Sequence, residues 1–260
     1  MGLRAMPFAN LNGIRIYYEV SGGGPAVLLT HGYSATGRMW EPQRAALGDR
    51  CRLITWDMRG HGETDSPEDP LQYSEALTVA DMRTLLELLG VDQAVVGGQS
   101  LGGYMSLAFY RDHPQMARAL VICDTGPGFR NPEARAAWNR VAEERARELE
   151  KRGLSALGST PEVQATARYH RSAQGLAHAA RGMYAKFDST VIDSLPRVRV
   201  PTLVIVGEQD EPFLAASQYM AAKIPGARLE VIPGAGHAAN LDQPEAFNRL
   251  LLDFLDSLFT

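Results

Sequence analysis

The sequence predicts an α/β protein with a mostly parallel, doubly wound sheet, interrupted once by a helical insertion. Three observations carry this. Short apolar runs alternate with helix-like stretches through both ends of the 260-residue chain. One such run, Ala94 to Val96, leads through Gly98-Gln99-Ser100-Leu101-Gly102 into a helical stretch from Tyr104 to Arg111. Between about residues 125 and 197 the apolar runs stop.

The elements follow in order. Residues 7–20 read as two short strands about a turn at Asn12-Gly13, with Ile14, Ile16 and Tyr18 alternating against Arg15, Tyr17 and Glu19 as in a half-exposed antiparallel strand. Ala26 to Thr30 is a continuous apolar run, expected for a strand covered on both faces. Trp40 to Leu47 reads as a helix and Arg52 to Trp56 as the next strand, ending in the turn-rich Asp57-Met58-Arg59-Gly60-His61-Gly62. Ser74 is an N-cap for a helix whose Leu77, Met82, Leu85, Leu86 and Leu89 keep a helical period, with Gly90 at its C-terminal end. Ala94 to Gly97 and Ala119 to Cys123 are strands. Asn131-Pro132 then opens a charged amphipathic helix, Glu133 to Lys151, stopped at Gly153; Pro161 to His170, Gln174 to Lys186 and Val191 to Leu195 continue as helices. The rhythm returns with a strand at Thr202 to Val206, a helix at Phe213 to Lys223, a strand at Arg228 to Ile232 and a closing helix at Pro244 to Leu258.

Bulk properties exclude several function classes. Hydrophobic residues make up 45%, enough for a sizeable core. A net charge of −4 and a pI near 5.9 argue against nucleic acid as the main partner. No window approaches the roughly 20 apolar residues of a membrane span. Met1 to Pro7 holds no apolar signal core, so a cytoplasmic location is expected. Gly2 follows Met1, but Met6 stands where a myristoylation signal has Ser or Thr. Cys51 and Cys123 each sit beside an apolar run, as buried free thiols in a reducing compartment would. No Cys/His spacing suits zinc, and neither a metal nor a cofactor is expected. Lysine occurs only at 151, 186 and 223 against many arginines and alanines, a bias of GC-rich bacterial genomes.

The Gly98-Gln99-Ser100-Leu101-Gly102 turn has the spacing of a nucleophile held proud of a sheet. Such a serine takes a strained backbone conformation. Gly98 and Gly102 stand where a Cβ would strike the neighbouring strand and helix. A serine hydroxyl also needs a histidine to take its proton and a carboxylate to orient that histidine. In doubly wound sheets such groups gather at the carboxyl ends of strands. Among six histidines, His237 follows the last strand, framed by Gly234 and Gly236. His31 and His61 read as loop braces, His113 lies at a helix end, and His170 and His178 fall in the insertion with a surface position as the default. For the carboxylate, Glu208, Asp210 and Glu211 compete in one loop, with Asp124 at another strand end. The Leu101 amide, at a helix N-terminus, and the Tyr33 amide, in the loop after Thr30, are candidate donors to a developing oxyanion.

With these pieces assembled, the chain resembles the α/β-hydrolase superfamily over essentially its whole length. The matching motifs are His31-Gly32-Tyr33, Asp57-Met58-Arg59-Gly60-His61-Gly62, Gly98-Gln99-Ser100-Leu101-Gly102-Gly103, Gly207-Glu208-Gln209-Asp210, and Gly234-Ala235-Gly236-His237 followed by Gln243-Pro244-Glu245. The resemblance implies an eight-stranded sheet with one antiparallel strand, a core of residues 1–124 and 198–260, and a helical cap of residues 125–197. It implies Asp210 as the orienting acid, in the chain order Ser100, Asp210, His237, with Asp124 then capping the insertion and Glu208 bracing its loop. Within the superfamily the chain looks like small bacterial serine esterases, enol-lactonases and carbon–carbon bond hydrolases. Epoxide hydrolases and haloalkane dehalogenases of this fold carry Asp where this chain has Ser100, so acyl chemistry is expected instead.

The expected function is cleavage of a small-molecule carboxylic ester through an acyl-enzyme, by a monomer or homodimer. Trp138, Tyr169, Met183, Tyr184, Phe187 and Phe213 are candidate pocket residues. The alternatives are a carbon–carbon bond hydrolase or enol-lactonase, with Arg168 or Arg181 holding a substrate carboxylate, or a ligand receptor on a hydrolase scaffold.

Overall fold

The computed structural model describes residues 8–48 and 50–259. The signal-peptide and myristoylation readings concern residues 1–7, outside the described ones. Asn12 and Gly13 turn β1 (Phe8–Leu11) back into β2 (Ile14–Ser21). Tyr17, expected on the exposed face of β2, is buried because the Arg38 guanidinium covers its ring, 5.2 Å from the centroid. β3 (Ala26–Thr30) is buried throughout, as its unbroken apolar run requires. A 3₁₀ turn, Gly37–Trp40, leads into α1 (Glu41–Leu47), and β4 (Arg52–Trp56) follows. Ser74 caps α2 (Glu75–Leu88) by accepting from the Leu77 N–H at 3.1 Å. β5 (Ala94–Gln99), α3 (Leu101–Asp112) and β6 (Ala117–Cys123) complete the first half.

The segment between β6 and the next strand is helical. Asn131 caps α4 (Pro132–Arg152), its side chain accepting from the Ala134 N–H at 2.9 Å. α5 (Pro161–Thr166) ends earlier than the sequence predicted, finishing as a 3₁₀ turn over Ala167–Tyr169. α6 (Ala173–Ala179) changes pitch into a π-helix, Ala180–Tyr184, and α7 (Thr190–Ser194) closes the segment. The second half runs β7 (Thr202–Gly207), α8 (Glu211–Lys223), β8 (Arg228–Ile232), α9 (Ala239–Asp242) and α10 (Pro244–Phe259). α9 is too short for a periodic signal and was not expected.

The eight strands lie in the order β1-β2-β4-β3-β5-β6-β7-β8. β2 runs antiparallel to both neighbours, and β4, β3, β5, β6, β7 and β8 pair in parallel. Strand side chains alternate between two core layers. Leu28, Val96 and Val204 pack with α2 and α3, while Val27, Leu29, Val95 and Leu203 pack with Trp40, Phe247 and Leu251. Cys51 and Cys123 are buried and free. No helix among the described residues is long and apolar enough to cross a membrane.

The helical segment rests on the loops at the carboxyl ends of the strands. Tyr33 donates its hydroxyl to the Leu176 carbonyl at 2.9 Å. Gly60 lets the loop after β4 meet this segment backbone to backbone; a Cβ there would fall 2.5 Å from the Gly175 carbonyl oxygen.

Candidate active site

Ser100 links β5 to α3 with φ 52° and ψ −117°, a region that costs a non-glycine residue on the order of 1–3 kcal/mol. The surroundings hold it there. Its N–H donates to the Cys123 carbonyl at 2.9 Å, and its own carbonyl accepts from Thr125 Oγ1 at 2.7 Å. α3 presses directly on β3: a Cβ on Gly102 would lie 2.1 Å from the Thr30 oxygen, and one on Gly98 2.5 Å from the same atom. The two glycines flanking the serine are thus sterically required.

His237 lies in the loop between β8 and α9. Its Nδ1 is 2.8 Å from Asp210 Oδ2, and Asp210 is 5% exposed. Burial opposes charging this imidazole, but the hydrogen bond and charge of Asp210, with Asp124 and Glu162 further off, outweigh it and hold the pKa above its ordinary value. Gln99 Nε2 donates to the His237 carbonyl at 2.6 Å and ties its loop to the serine turn. The Phe213 ring stacks on the imidazole at 5.0 Å. Ser100 and His237 line one cavity without a hydrogen bond between them.

The competing groups have other partners. Asp124 neither meets His237 nor caps the helical insertion, as had been expected. Its Oδ1 accepts from the Gly207 N–H at 2.8 Å and its Oδ2 from the Ala239 N–H at 3.1 Å, so it pins the loops that carry Asp210 and His237. Burial pushes its carboxyl up to about 8, against those two amide bonds. Glu208 braces its loop through the Gly234 N–H at 3.0 Å. His31 accepts from the Met58 N–H at Nε2, which leaves Nδ1–H to donate to the Gly32 carbonyl at 2.7 Å; burial lowers its pKa to about 3. His170, assigned to the surface by default, is buried instead. It takes the Gly62 N–H at Nδ1 and donates from Nε2 to the Ser34 carbonyl at 2.9 Å. His178 is likewise buried, against the Tyr73 ring.

The loop after β3 runs beside the serine: a Cβ on Gly32 would be 3.4 Å from Ser100 Cβ. Among the described residues no hydrogen bond engages the backbone N–H of Tyr33 or Leu101. Two cavities meet at Ser100. The larger, about 280 Å³, has walls that include Leu101, Tyr104, Trp138, Tyr184 and Phe213. The smaller, about 160 Å³, includes Gln99, His237, Arg145 and Glu162.

The model of the alpha/beta hydrolase family matches residues 27–250. The chain belongs to that family. Over 97% of its length it is 32% identical to a thermophilic esterase from Thermogutta terrifontis, solved with malate bound, covering 98% of that chain with a TM-score of 0.82. It is 26% identical to the enol-lactonase from Burkholderia xenovorans LB400, over 96% of this chain and 100% of that one, with a TM-score of 0.77. It is 30% identical to a Bacillus subtilis (strain 168) protein provisionally named 2-succinyl-6-hydroxy-2,4-cyclohexadiene-1-carboxylate synthase, over 95% of this chain and 97% of that one.

In this hydrolase three of the six expected pocket residues, Trp138, Tyr184 and Phe213, line the larger cavity. The other three do not. Met183 is 1% exposed in the core, and Phe187 is 69% exposed on a separate surface groove. Met183 lies inside the π-helix, and Phe187 lies beyond its end, where the chain has left the helix expected to run to Lys186. Tyr169, on its 3₁₀ turn, is held between the Arg38 and Arg168 guanidinium groups, 4.3 and 4.8 Å from its ring. The two arginines expected to bind a carboxylate are engaged as well. Arg168 donates to the Tyr169 hydroxyl, and Arg181 pairs with Glu143 and Glu150. Sequence reasoning missed Lys186, Arg145 and Glu162. Lys186 is buried, lines the larger cavity and donates from Nζ to the Met183 and Tyr184 carbonyls at 3.2 and 2.9 Å, closing the end of the π-helix.

Proposed function

We propose that this hydrolase cleaves carboxylic esters through an acyl-enzyme on Ser100, with His237 as general base and Asp210 as its orienting acid. The observation that carries the reading is the 2.8 Å contact between His237 Nδ1 and Asp210 Oδ2 beside the cavity wall formed by Ser100. With Nδ1–H donated to Asp210, the Nε2 lone pair is left to take the serine proton as Oγ attacks the ester carbonyl. The Tyr33 and Leu101 amides then receive the oxyanion. Collapse of the tetrahedral intermediate expels the alcohol, which takes its proton from His237. A water deprotonated by His237 then attacks the acyl carbonyl and frees Ser100.

The larger cavity takes the acyl group, since its Trp138, Tyr184 and Phe213 walls are apolar. Residues 125–197 act as the cap that forms those walls. The similarity to the Thermogutta terrifontis esterase supports an ester substrate. The test is a panel of p-nitrophenyl esters of rising acyl length, run on wild type and Ser100→Ala. Turnover lost by at least about three orders of magnitude in a folded variant is expected; surviving turnover rejects Ser100.

Arg145 favours a second reading, hydrolysis of a carboxylate-bearing enol-lactone or carbon–carbon substrate. It lines the smaller cavity, and among the described residues no ion pair engages it. Loss of turnover on such substrates alone in Arg145→Gln would favour it.

A further inference from the structure

We propose that the smaller cavity is the alcohol subsite, and that it selects leaving groups carrying a second hydroxyl, bound by Glu162. The proposal rests on the ester reading above and adds the class of alcohol. Glu162 lies in the first turn of α5 and is 4% exposed. Its Oε1 accepts from Thr160 Oγ1 at 2.6 Å, whereas its Oε2 is buried with no hydrogen-bond partner among the described residues. Gln99, also in this wall, is fully buried with its Oε1 turned against Gly32 and is out of reach of the substrate. Its Nε2 is spent on the His237 carbonyl, and its Oε1 is buried and unpartnered. Both residues line the smaller cavity with Ser100 and His237.

A buried acceptor without a donor carries a desolvation cost that a ligand donor relieves. Glu162, in the wall beside the serine, therefore calls for a donor on the substrate. A hydroxyl meets the need and can also accept from the donor-only guanidinium of Arg145. A plain alkyl alcohol leaves the Glu162 acceptor unmet, and a carboxylate sets like charge against it. The volume of about 160 Å³ equals about five waters at ~30 Å³ each, room for a short hydroxyalkyl group.

Esters of one acid share a single acyl-enzyme, so the alcohol acts only on acylation, which kcat/KM reads. The experiment compares 2-hydroxyethyl butyrate with 2-methoxyethyl butyrate. Methylation removes the donor and keeps the oxygen. Wild type should favour the hydroxyl ester by about tenfold, the scale of one hydrogen bond to a charged group. In Glu162→Ala the ratio should fall to near one, and Glu162→Gln should retain part of it. A residue that merely braces α5 would lower the melting temperature and leave the ratio unmoved. A wild-type ratio near one overturns the proposal, whether or not the variants fold, as does a tenfold ratio that persists in Glu162→Ala. If p-nitrophenyl butyrate shows no serine-dependent turnover, the ester reading itself falls, and the alcohol subsite with it.

Discussion

The serine turn and the helical segment between β6 and β7 both wall the cavities, but they are held differently. Around Ser100 the constraints act on the backbone: glycines that admit no Cβ, the Ser100 N–H donating to the Cys123 carbonyl, the Thr125 hydroxyl donating to the Ser100 carbonyl, and Asp124 accepting amides from the loops of Asp210 and His237. In the helical segment the constraints are side chains. The Lys186 ammonium closes a π-helix, Arg181 ties α4 to that helix through Glu143 and Glu150, and the Trp138 indole donates to the Tyr184 carbonyl at 2.9 Å. The first arrangement fixes atoms wherever the reaction would need them. The second leaves the pocket open to change by single substitutions, because individual side chains form its walls and its ties.

The largest expected effects test whether chemistry and bracing are separate on the sheet side. Asp210→Asn should lower kcat by about 10⁴, since the orienting carboxylate fixes the histidine tautomer. Asp124→Asn should instead keep most of the rate and lose stability by about 1–3 kcal/mol, because one of its two backbone donors loses its acceptor. Steady-state kinetics and thermal melts on both variants decide this, and an exchange of the two outcomes would make Asp124 the acid.

On the helical side, Trp138→Ala should enlarge the acyl cavity. kcat/KM for short acyl esters should fall by roughly tenfold or more, and the preferred p-nitrophenyl ester should move to a longer chain. A uniform loss at all lengths would put the indole outside the pocket.

Lys186 gives a test by pH. Burial lowers its pKa from 10.5 to about 7, so between those values the unfolded chain binds more protons than the folded one, and stability attributable to this residue rises with pH across that window. Melting temperatures of wild type minus Lys186→Met should therefore climb from pH 7 to 10; a flat difference would mean the amine stays charged in the fold.

The smallest effect is the acid limb of kcat/KM. A general base works unprotonated, and the His237 pKa lies above 6.5, so activity should rise through a midpoint above that value. A midpoint below it would mean that burial outweighs Asp210.

The same contrast explains what the sequence disclosed. Ser100, Asp210 and His237 stand at strand ends among glycines, and apolar runs mark strand ends well. Trp138 and Phe213 fell on regular helices whose phase can be counted. Met183 falls within a π-helix and Phe187 beyond its end, where counting at the α-helical period fails. Glu162 and Lys186 were illegible because charged residues in helical stretches usually face solvent, and only the packing of the helical segment onto the body turns them inward; Arg145 stays exposed and reaches the smaller cavity only at its wall. His170 was misplaced for the same reason as Glu162 and Lys186.

The central claim is a covalent acyl group on Ser100. Acid-quenching wild type during turnover of p-nitrophenyl butyrate, followed by mass spectrometry of the digested chain, tests it most directly. A single butyryl group on the peptide holding Ser100, absent in Ser100→Ala, is the result predicted. Rapid turnover with the label on another residue would contradict the account.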